Sequence, residues 1–429
     1  MIGDRLEARL ALDPEGDPRH VVGRVWDRVG SAPTLRVQRP LLTSLRPLGA
    51  LIAVAVLIAL GVFVRPILTG PGATPSPSPS PTRPASFSAA DIKAVVDPWM
   101  VGFGPVAVRP PISVTIIDAA GVGASYTLGT LPASPPQAST GRIGEVSRVY
   151  LGAAIATIDA CAQTQVLLCA KPIETTMRLD DPVAKWWPPW PDDDPTTIRN
   201  LLEGKSGLAP VAASLDDLAA SFTPGSGATL LDAAVAAPRR FARGSQRSPV
   251  DTEWLILDAV IPVVTGQPAE NVIPTDGSPP FSTRFANQPA ESPMSGSRAN
   301  RDPVVELDPA LLQFVGNSAG MSSSSQDLAE TALQTWATTS QLDPAIVAYL
   351  TDAANGRRSP IGAEGVCPCE GIASQTALRI QQVGHAVGWS SIMAYSWDQN
   401  TAIGVVLGRD WRDQDLKSLL QDLTAIRPG

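Results

Sequence analysis

Histidine, cysteine and lysine are scarce in this 429-residue sequence, which holds only two histidines and four cysteines. Because no histidine or cysteine pair has the spacing of a zinc site, we predict no metal centre, and we expect no cofactor. Acidic residues outnumber basic ones, and the net charge of −8 argues against nucleic acid as a partner. Hydrophobic residues make up 44% of the chain, enough for a core, which excludes a wholly disordered protein.

One apolar run near the N-terminus predicts a membrane span. Residues 47–64 carry no charge and lie between Arg46 and Arg65. Their number is close to the roughly 20 residues that a helix needs to cross a bilayer. The 46 preceding residues are too many for the basic region of a signal peptide. We therefore predict a transmembrane helix over residues 47–68, with the membrane as a partner.

Charges around this run predict its orientation. No acidic residue occurs between Asp27 and the run, whereas arginines do: Arg28, Arg36, Arg39 and Arg46. This positive bias predicts a cytoplasmic tail over residues 1–46, an extracytoplasmic C-terminal domain, and a single-pass protein of the cell membrane. Alternating Pro and Ser predict an extended linker over 69–85, followed by a domain over 86–429.

All four cysteines follow the predicted span, on the side where disulfides persist. They form two clusters: Cys161 with Cys169, and Cys367 with Cys369. Four cysteines allow three pairings. A bridge between Cys367 and Cys369 would be strained, which favours pairing across the two clusters.

The pattern beyond residue 86 predicts one α+β domain. A strand is expected at 112–118, a helix at 150–160, two strands near the C-terminus and a final helix at 415–426. The stretch 274–303 is rich in Pro, Ser and Gly and predicts a long surface loop.

Five segments carry a family resemblance in one fixed order. They are RIGEVSRVYLGAAIATI at 142–158, a stretch at 178–208 with LDDPV, TTIRNLL and SGL, a helix-like run ending in TGQ within 254–273, SSSSQDLAET at 322–331, and residues 385–411. In this order they resemble the serine β-lactamase and penicillin-binding family, specifically its class C-like and DD-carboxypeptidase branch. The resemblance implies a β-lactamase/transpeptidase-like fold, with an antiparallel sheet flanked by helices and a helical subdomain.

The same resemblance implies a site in which this chain departs from the family at every reactive position. The family uses a serine and a lysine three residues later, a YxN or SxN triplet, and a KTG or HTG strand. The positions that match are Glu145 for the serine, Arg148 for the lysine, Asp251 for the asparagine, and Gln382 and Gly384 in the third motif. No lysine of the chain lies three residues after a serine, and arginine cannot serve as the base.

Two interpretations of these replaced residues remain open. Glu145 at a helix N-terminus could pair with Arg148 one turn later and fill the place of the reactive groups. Alternatively, the carboxyl groups of Glu145 and Asp251 act in general acid and general base catalysis. Trp186 and Trp187 could line a glycan or peptide groove or simply pack, and His385 is either a ligand-binding residue or a plain strand residue.

Three functions follow from these observations. The first is a catalytically inactive relative of the serine hydrolases that binds cell-wall peptides or envelope proteins, ligands that the resemblance implies. The second is a hydrolase (β-lactamase, DD-peptidase or esterase) with a non-standard residue set. The third is a transmembrane sensor whose outer domain is the input and whose residues 1–46 are the output.

Overall fold

The computed structural model describes residues 87–133, 136–164, 176–272, 283–286, 288, 293–297, 303–304, 308–337, 364–366 and 379–427. The predicted tail, span and linker lie outside these residues. Cys169, Cys367 and Cys369 also lie outside them. Cys161 lies near the end of a helix and is not a free thiol. Because the other three cysteines lie outside the described residues, the pairing across the two clusters stays a prediction. No helix in the described ranges is both long enough and apolar enough to cross a membrane.

A six-stranded antiparallel sheet forms the centre of the domain. Its order is β2-β1-β10-β9-β8-β7. The strands are β1 (Ile112–Asp118), β2 (Gly123–Leu128), β7 (Glu364–Val366), β8 (Arg379–Ala386), β9 (Trp389–Ser396) and β10 (Thr401–Leu407). The expected strands at 112–118 and near the C-terminus are confirmed.

Both faces of this sheet are covered by helices. The alternating residues Ile112, Val114 and Ile116 of β1 pack in one core with α1 (Ala89–Val101) and α10 (Asp413–Thr424). On the opposite face, the Ser113 hydroxyl lies 2.7 Å from that of Ser325, the first residue of α9 (Ser325–Trp336). The residues of β1 therefore face the helical pair α1 and α10 and the larger helical layer in alternation.

The larger layer contains the helices of the middle of the chain. Most of them share one hydrophobic core, in which Tyr150, Trp254 and Trp336 are fully buried. The two helices that carry Leu218 and Val315 pack together in a smaller cluster. The helices of the larger layer are α2 (Ser147–Thr164), α3 (Val183–Trp186), α4 (Ile198–Leu202), α5 (Leu215–Ser221), α6 (Gly227–Ala236), α7 (Asp251–Thr265), α8 (Pro309–Ala319) and α9. The expected helix at 150–160 lies within α2. Helix α7 ends at Gly266, whose φ of 65° gives the left-handed C-cap that the TGQ segment supplies.

Two short antiparallel pairs complete the fold. Strand β3 (Thr140–Arg142) pairs with β6 (Ser322–Ser324), and β4 (Gly296–Ser297) pairs with β5 (Pro303–Val304). Strand β6 leads directly into α9, and β3 is followed by a short turn before α2. Most of the predicted loop at 274–303 lies outside the described residues.

Candidate functional site

The site begins at a tight turn between β3 and α2. Residues Gly144–Val146 form a 3-10 turn, and Gly144 has a φ of 50°. A Cβ at Gly144 would overlap the carbonyl of His385, and a Cβ at Gly384 would overlap the carbonyl of Ile143. Two glycines therefore allow the backbone of the turn to lie directly against β8. Gly384, which the family motif singled out, serves this close approach.

Glu145, the residue that the sequence resemblance matches to the family's nucleophile, lies in this turn. Its Oε2 accepts a hydrogen bond of 2.5 Å from the backbone N–H of His385. Burial raises the pKa of Glu145; the Asp251 carboxylate also raises it, and Arg148 and the His385 N–H oppose the rise. The side chain therefore holds a proton more readily than an ordinary glutamate does.

Arg148, in the first turn of α2, forms an ion pair with Asp251, the first residue of α7. Its side chain is only 10% exposed, and its guanidinium lies 5.9 Å from the centre of the Trp254 ring. The pair that the sequence suggested, between Glu145 and Arg148, is thus not the one that forms. The Glu145 carboxyl instead accepts the backbone N–H of His385, and Asp251 at the start of α7 contacts the Arg148 guanidinium.

His385, on β8, is held between two carboxylates. Its Nδ1 lies 3.1 Å from Asp410 Oδ1 and its Nε2 lies 2.5 Å from Asp413 Oδ1. Burial lowers the pKa of His385, but the two carboxylates outweigh burial and raise the pKa to about 10. The ring is therefore an imidazolium at neutral pH and cannot act there as a general base.

A cavity of about 470 Å³ brings these groups together. Its walls include the carboxylates of Glu145, Asp251 and Asp410 and the cations Arg148, His385 and Arg240, with apolar residues between them. Four of the predicted site residues thus meet, namely Glu145, Arg148, Asp251 and His385. Gln382 lies on the same strand, but its amide donates to the Val383 carbonyl over 2.8 Å and does not line this cavity.

The two candidate tryptophans do not reach this cavity. Trp186 donates its ring N–H to Asp181 Oδ2 over 2.9 Å. Trp187 is 5% exposed, and its ring packs edge-on against Trp190 with 6.1 Å between centroids. These contacts favour packing over ligand binding for the described part of this segment.

Sequence reasoning missed three carboxylates that support the site. Asp410 follows β10 and Asp413 begins α10, and no short-range spacing relates either one to His385. Glu253 is buried in α7 and accepts hydrogen bonds from the Ser206 hydroxyl, over 2.5 Å, and from the Val250 N–H, over 3.0 Å. Burial raises the pKa of Glu253 to about 7. The sequence offered one signal for Glu253. It is the third residue of a helix, a position at which glutamate commonly takes part in capping the helix N-terminus.

The set of groups limits the chemistry of the cleft. It has no serine at residue 145 and no lysine at residue 148, so the acylation route of the family has neither its nucleophile nor its base at these positions. It does have a carboxyl that readily holds a proton, Glu145, near a carboxylate held by an arginine, Asp251.

Comparison with known folds places this architecture in one class. The chain shares its fold with the β-lactamase/D-alanine carboxypeptidase from Pseudomonas syringae, at 15% identity and a TM-score of 0.59, over 78% of this chain and 98% of that chain. A class C β-lactamase from Rhodobacter sphaeroides matches at 15% identity and a TM-score of 0.57, over 78% and 98%. The D-amino acid amidase from Ochrobactrum anthropi, in complex with L-phenylalanine amide, matches at 14% identity and a TM-score of 0.56, again over 78% and 98%. The protein therefore has the β-lactamase/transpeptidase-like α+β fold.

The family model for β-lactamases matches residues 167–423, more than half of the chain. The protein belongs to the β-lactamase family. No curated individual protein matches the sequence. The matched residues include Asp251, Gln382 and Gly384 but begin after α2, so the correspondence of Glu145 and Arg148 rests on the RIG segment and on the position of the turn in the cleft.

Proposed function

We propose that this chain is a membrane-anchored, extracytoplasmic member of the β-lactamase family that binds cell-envelope ligands or partners without forming the acyl-enzyme of its relatives. The ion pair between Arg148 and Asp251 is the observation that carries the proposal. The sequence resemblance matches Arg148 to the family's base and Asp251 to its asparagine, and an arginine stays protonated where a base would have to accept a proton.

A hydrolysis assay tests the loss of acylation chemistry. The full-length protein in detergent is incubated with the chromogenic β-lactam nitrocefin and with an activated ester. We expect no turnover above the rate without protein. The competing function, a hydrolase that uses Glu145 and Asp251, has support in the raised pKa of Glu145. Glu330, on α9, does not line the cavity and serves as the control. Turnover that Glu145→Ala abolishes and Glu330→Ala preserves would establish that function and overturn ours.

The proposed membrane anchor rests on the apolar run at 47–64 and on the charge bias around it. The test compares the full chain with a variant that lacks residues 47–68, after extraction of membranes at alkaline pH. We expect the full chain to stay in the membrane pellet and its C-terminal domain to be digested by protease added from the extracytoplasmic side. Release of the full chain at alkaline pH would contradict the anchor.

A further inference from the structure

The exposed apolar side chains of the domain are concentrated in one short segment. Among the residues that the structure describes, five large hydrophobic side chains are exposed, and three of them lie close together in the sequence: Val101 at 59%, Val106 at 69% and Val108 at 41%. They belong to the end of α1 and to the 3-10 turn that follows it. Single exposed hydrophobic residues are ordinary, whereas a cluster of them marks an interaction surface. We call residues 98–108 the apolar turn.

Contacts beneath the apolar turn hold it in a fixed shape. Phe103 is buried, and its ring packs between those of Trp99, with 4.9 Å between centroids, and Trp411, with 4.3 Å. The Arg109 Nε donates a hydrogen bond of 3.0 Å to the Gly104 carbonyl and closes the turn. The exposed valines therefore stand on a packed base, ready to meet a partner without a loss of backbone freedom.

The composition of the apolar turn favours lipid as that partner. No residue from Pro98 to Val108 carries a charge, and the half-buried Trp99 and Trp411 border the turn. Such residues are typical of segments that enter a membrane interface, because the indole ring has an apolar body and a polar N–H. A stable protein–protein interface uses about 20–30 residues on each side, roughly twice the length of this turn.

The place of the apolar turn in the chain favours the same partner. The described domain begins at residue 87, directly after the predicted linker over 69–85. An extended chain of this length and Pro content would reach about 50 Å, and α1, with 13 residues, is about 20 Å long. A domain tethered in this way has a high effective concentration at the bilayer, so that even a weak contact is populated.

We propose that the apolar turn inserts into the extracytoplasmic surface of the phospholipid bilayer and holds the domain against it. The proposal rests on the membrane anchor of the proposed function, because the anchor supplies the tether. Val101, Val106 and Val108 enter the interfacial layer, and the two tryptophans lie at the level of the headgroups. Because Asp410, which lines the cleft, directly precedes Trp411, this contact also brings the cleft near the membrane surface.

Hydrogen exchange of the full-length protein tests the contact. The protein is embedded in lipid nanodiscs of equal parts phosphatidylcholine and phosphatidylglycerol. The variant that lacks residues 47–68, mixed with empty nanodiscs, serves as the reference. We expect the amides of 99–109 to exchange about fivefold or more slowly in the embedded protein than in the reference. The amides around Val263, an exposed valine on α7, should exchange equally in both. Equal exchange over 99–109 would overturn the proposal.

The variant Val106→Glu tests whether this turn makes the contact. It places a charge on the most exposed of the three valines, where the folded domain leaves room for it. We expect Val106→Glu to lose the slower exchange over 99–109 in nanodiscs, whereas Val263→Glu, the same change on another element, keeps it. Near-ultraviolet circular dichroism confirms that both variants are folded. Slower exchange that persists in Val106→Glu would overturn the assignment to the apolar turn.

Alkaline extraction distinguishes failure of this proposal from failure of the anchor. We expect Val106→Glu to stay in the membrane pellet, because its span is intact. A chain that stays in the pellet without slower exchange over 99–109 would overturn the lipid contact alone, whereas release of the chain would overturn both proposals. Slower exchange that appears in the variant without residues 47–68 as its concentration rises, with no lipid present, would show contact between two copies of the chain and overturn the lipid contact.

Discussion

At the scale of single residues, the ion pair between Arg148 and Asp251 places two opposite charges at the starts of α2 and α7. Burial makes each of these charges costly without the other. The Arg148 side chain is 10% exposed and that of Asp251 is 29% exposed, so solvent cannot fully compensate for a lost partner. The ion pair therefore stabilises the contact between α2 and α7 only when both residues are present.

A double-mutant cycle measures this dependence. We expect Arg148→Met alone to lower the free energy of unfolding by about 3 kcal/mol, because it leaves Asp251 near Glu145 without a cation. Adding Asp251→Asn should recover part of the loss, giving a coupling energy of about 1–3 kcal/mol in urea unfolding. The exposed pair Arg412 and Asp415 is the control, with an expected coupling below about 1 kcal/mol. Additive losses at 148 and 251 would contradict this account.

His385 makes the stability of the protein depend on pH. Its pKa is about 10 in the folded state and about 6.5 in a model peptide, so its contribution is complete below pH 6.5 and is lost as the pH rises toward 10. We expect His385→Asn to cost about 1–2 kcal/mol near pH 6, a modest amount because Asp413 is largely exposed, and progressively less toward pH 10. Urea unfolding from pH 6 to pH 10 checks this. A cost that is constant or that grows with pH would contradict the imidazolium.

At the scale of elements, the contact between the 3-10 turn and β8 positions the whole site. Gly144 and Gly384 remove the side chains that would separate the two segments, and the Ser391 hydroxyl donates to the Ile143 carbonyl over 2.8 Å. Backbone packing therefore brings Glu145 to the cleft, where its carboxyl accepts the His385 N–H of β8.

Substitution of Gly144 by alanine should disrupt this contact. We expect Gly144→Ala to destabilise the protein by about 3 kcal/mol, from the strain of a positive φ together with steric overlap on β8. Gly244→Ala is the matched control, since Gly244 also has a positive φ but nothing within 4 Å of an added Cβ, and it should cost about 1 kcal/mol. Equal losses at both glycines in urea unfolding would show that the contact with β8 is not tight.

At the scale of the whole molecule, local patterns predicted the elements and family motifs predicted most of the cleft. The strand at 112–118 and the helix at 150–160 could be predicted from the sequence because apolar residues recur along short segments. The partners of Arg148 and His385 were not, because they come from segments that meet only in the folded chain: α7 for Arg148, and the residues after β10 for His385. The choice of Asp251 over Glu145 as the partner of Arg148 depends on contacts with α7 and with β8, which are distant in the sequence.

The absence of acylation is the central claim for the whole molecule, and intact-mass analysis tests it most directly. The full-length protein is incubated with benzylpenicillin and, separately, with a fluorophosphonate, beside a serine β-lactamase that takes up label. Near-ultraviolet circular dichroism confirms that the protein stays folded. We predict an unchanged mass in both reactions. A stoichiometric adduct, located by peptide mapping, would show that a nucleophile operates in this protein and would contradict the account.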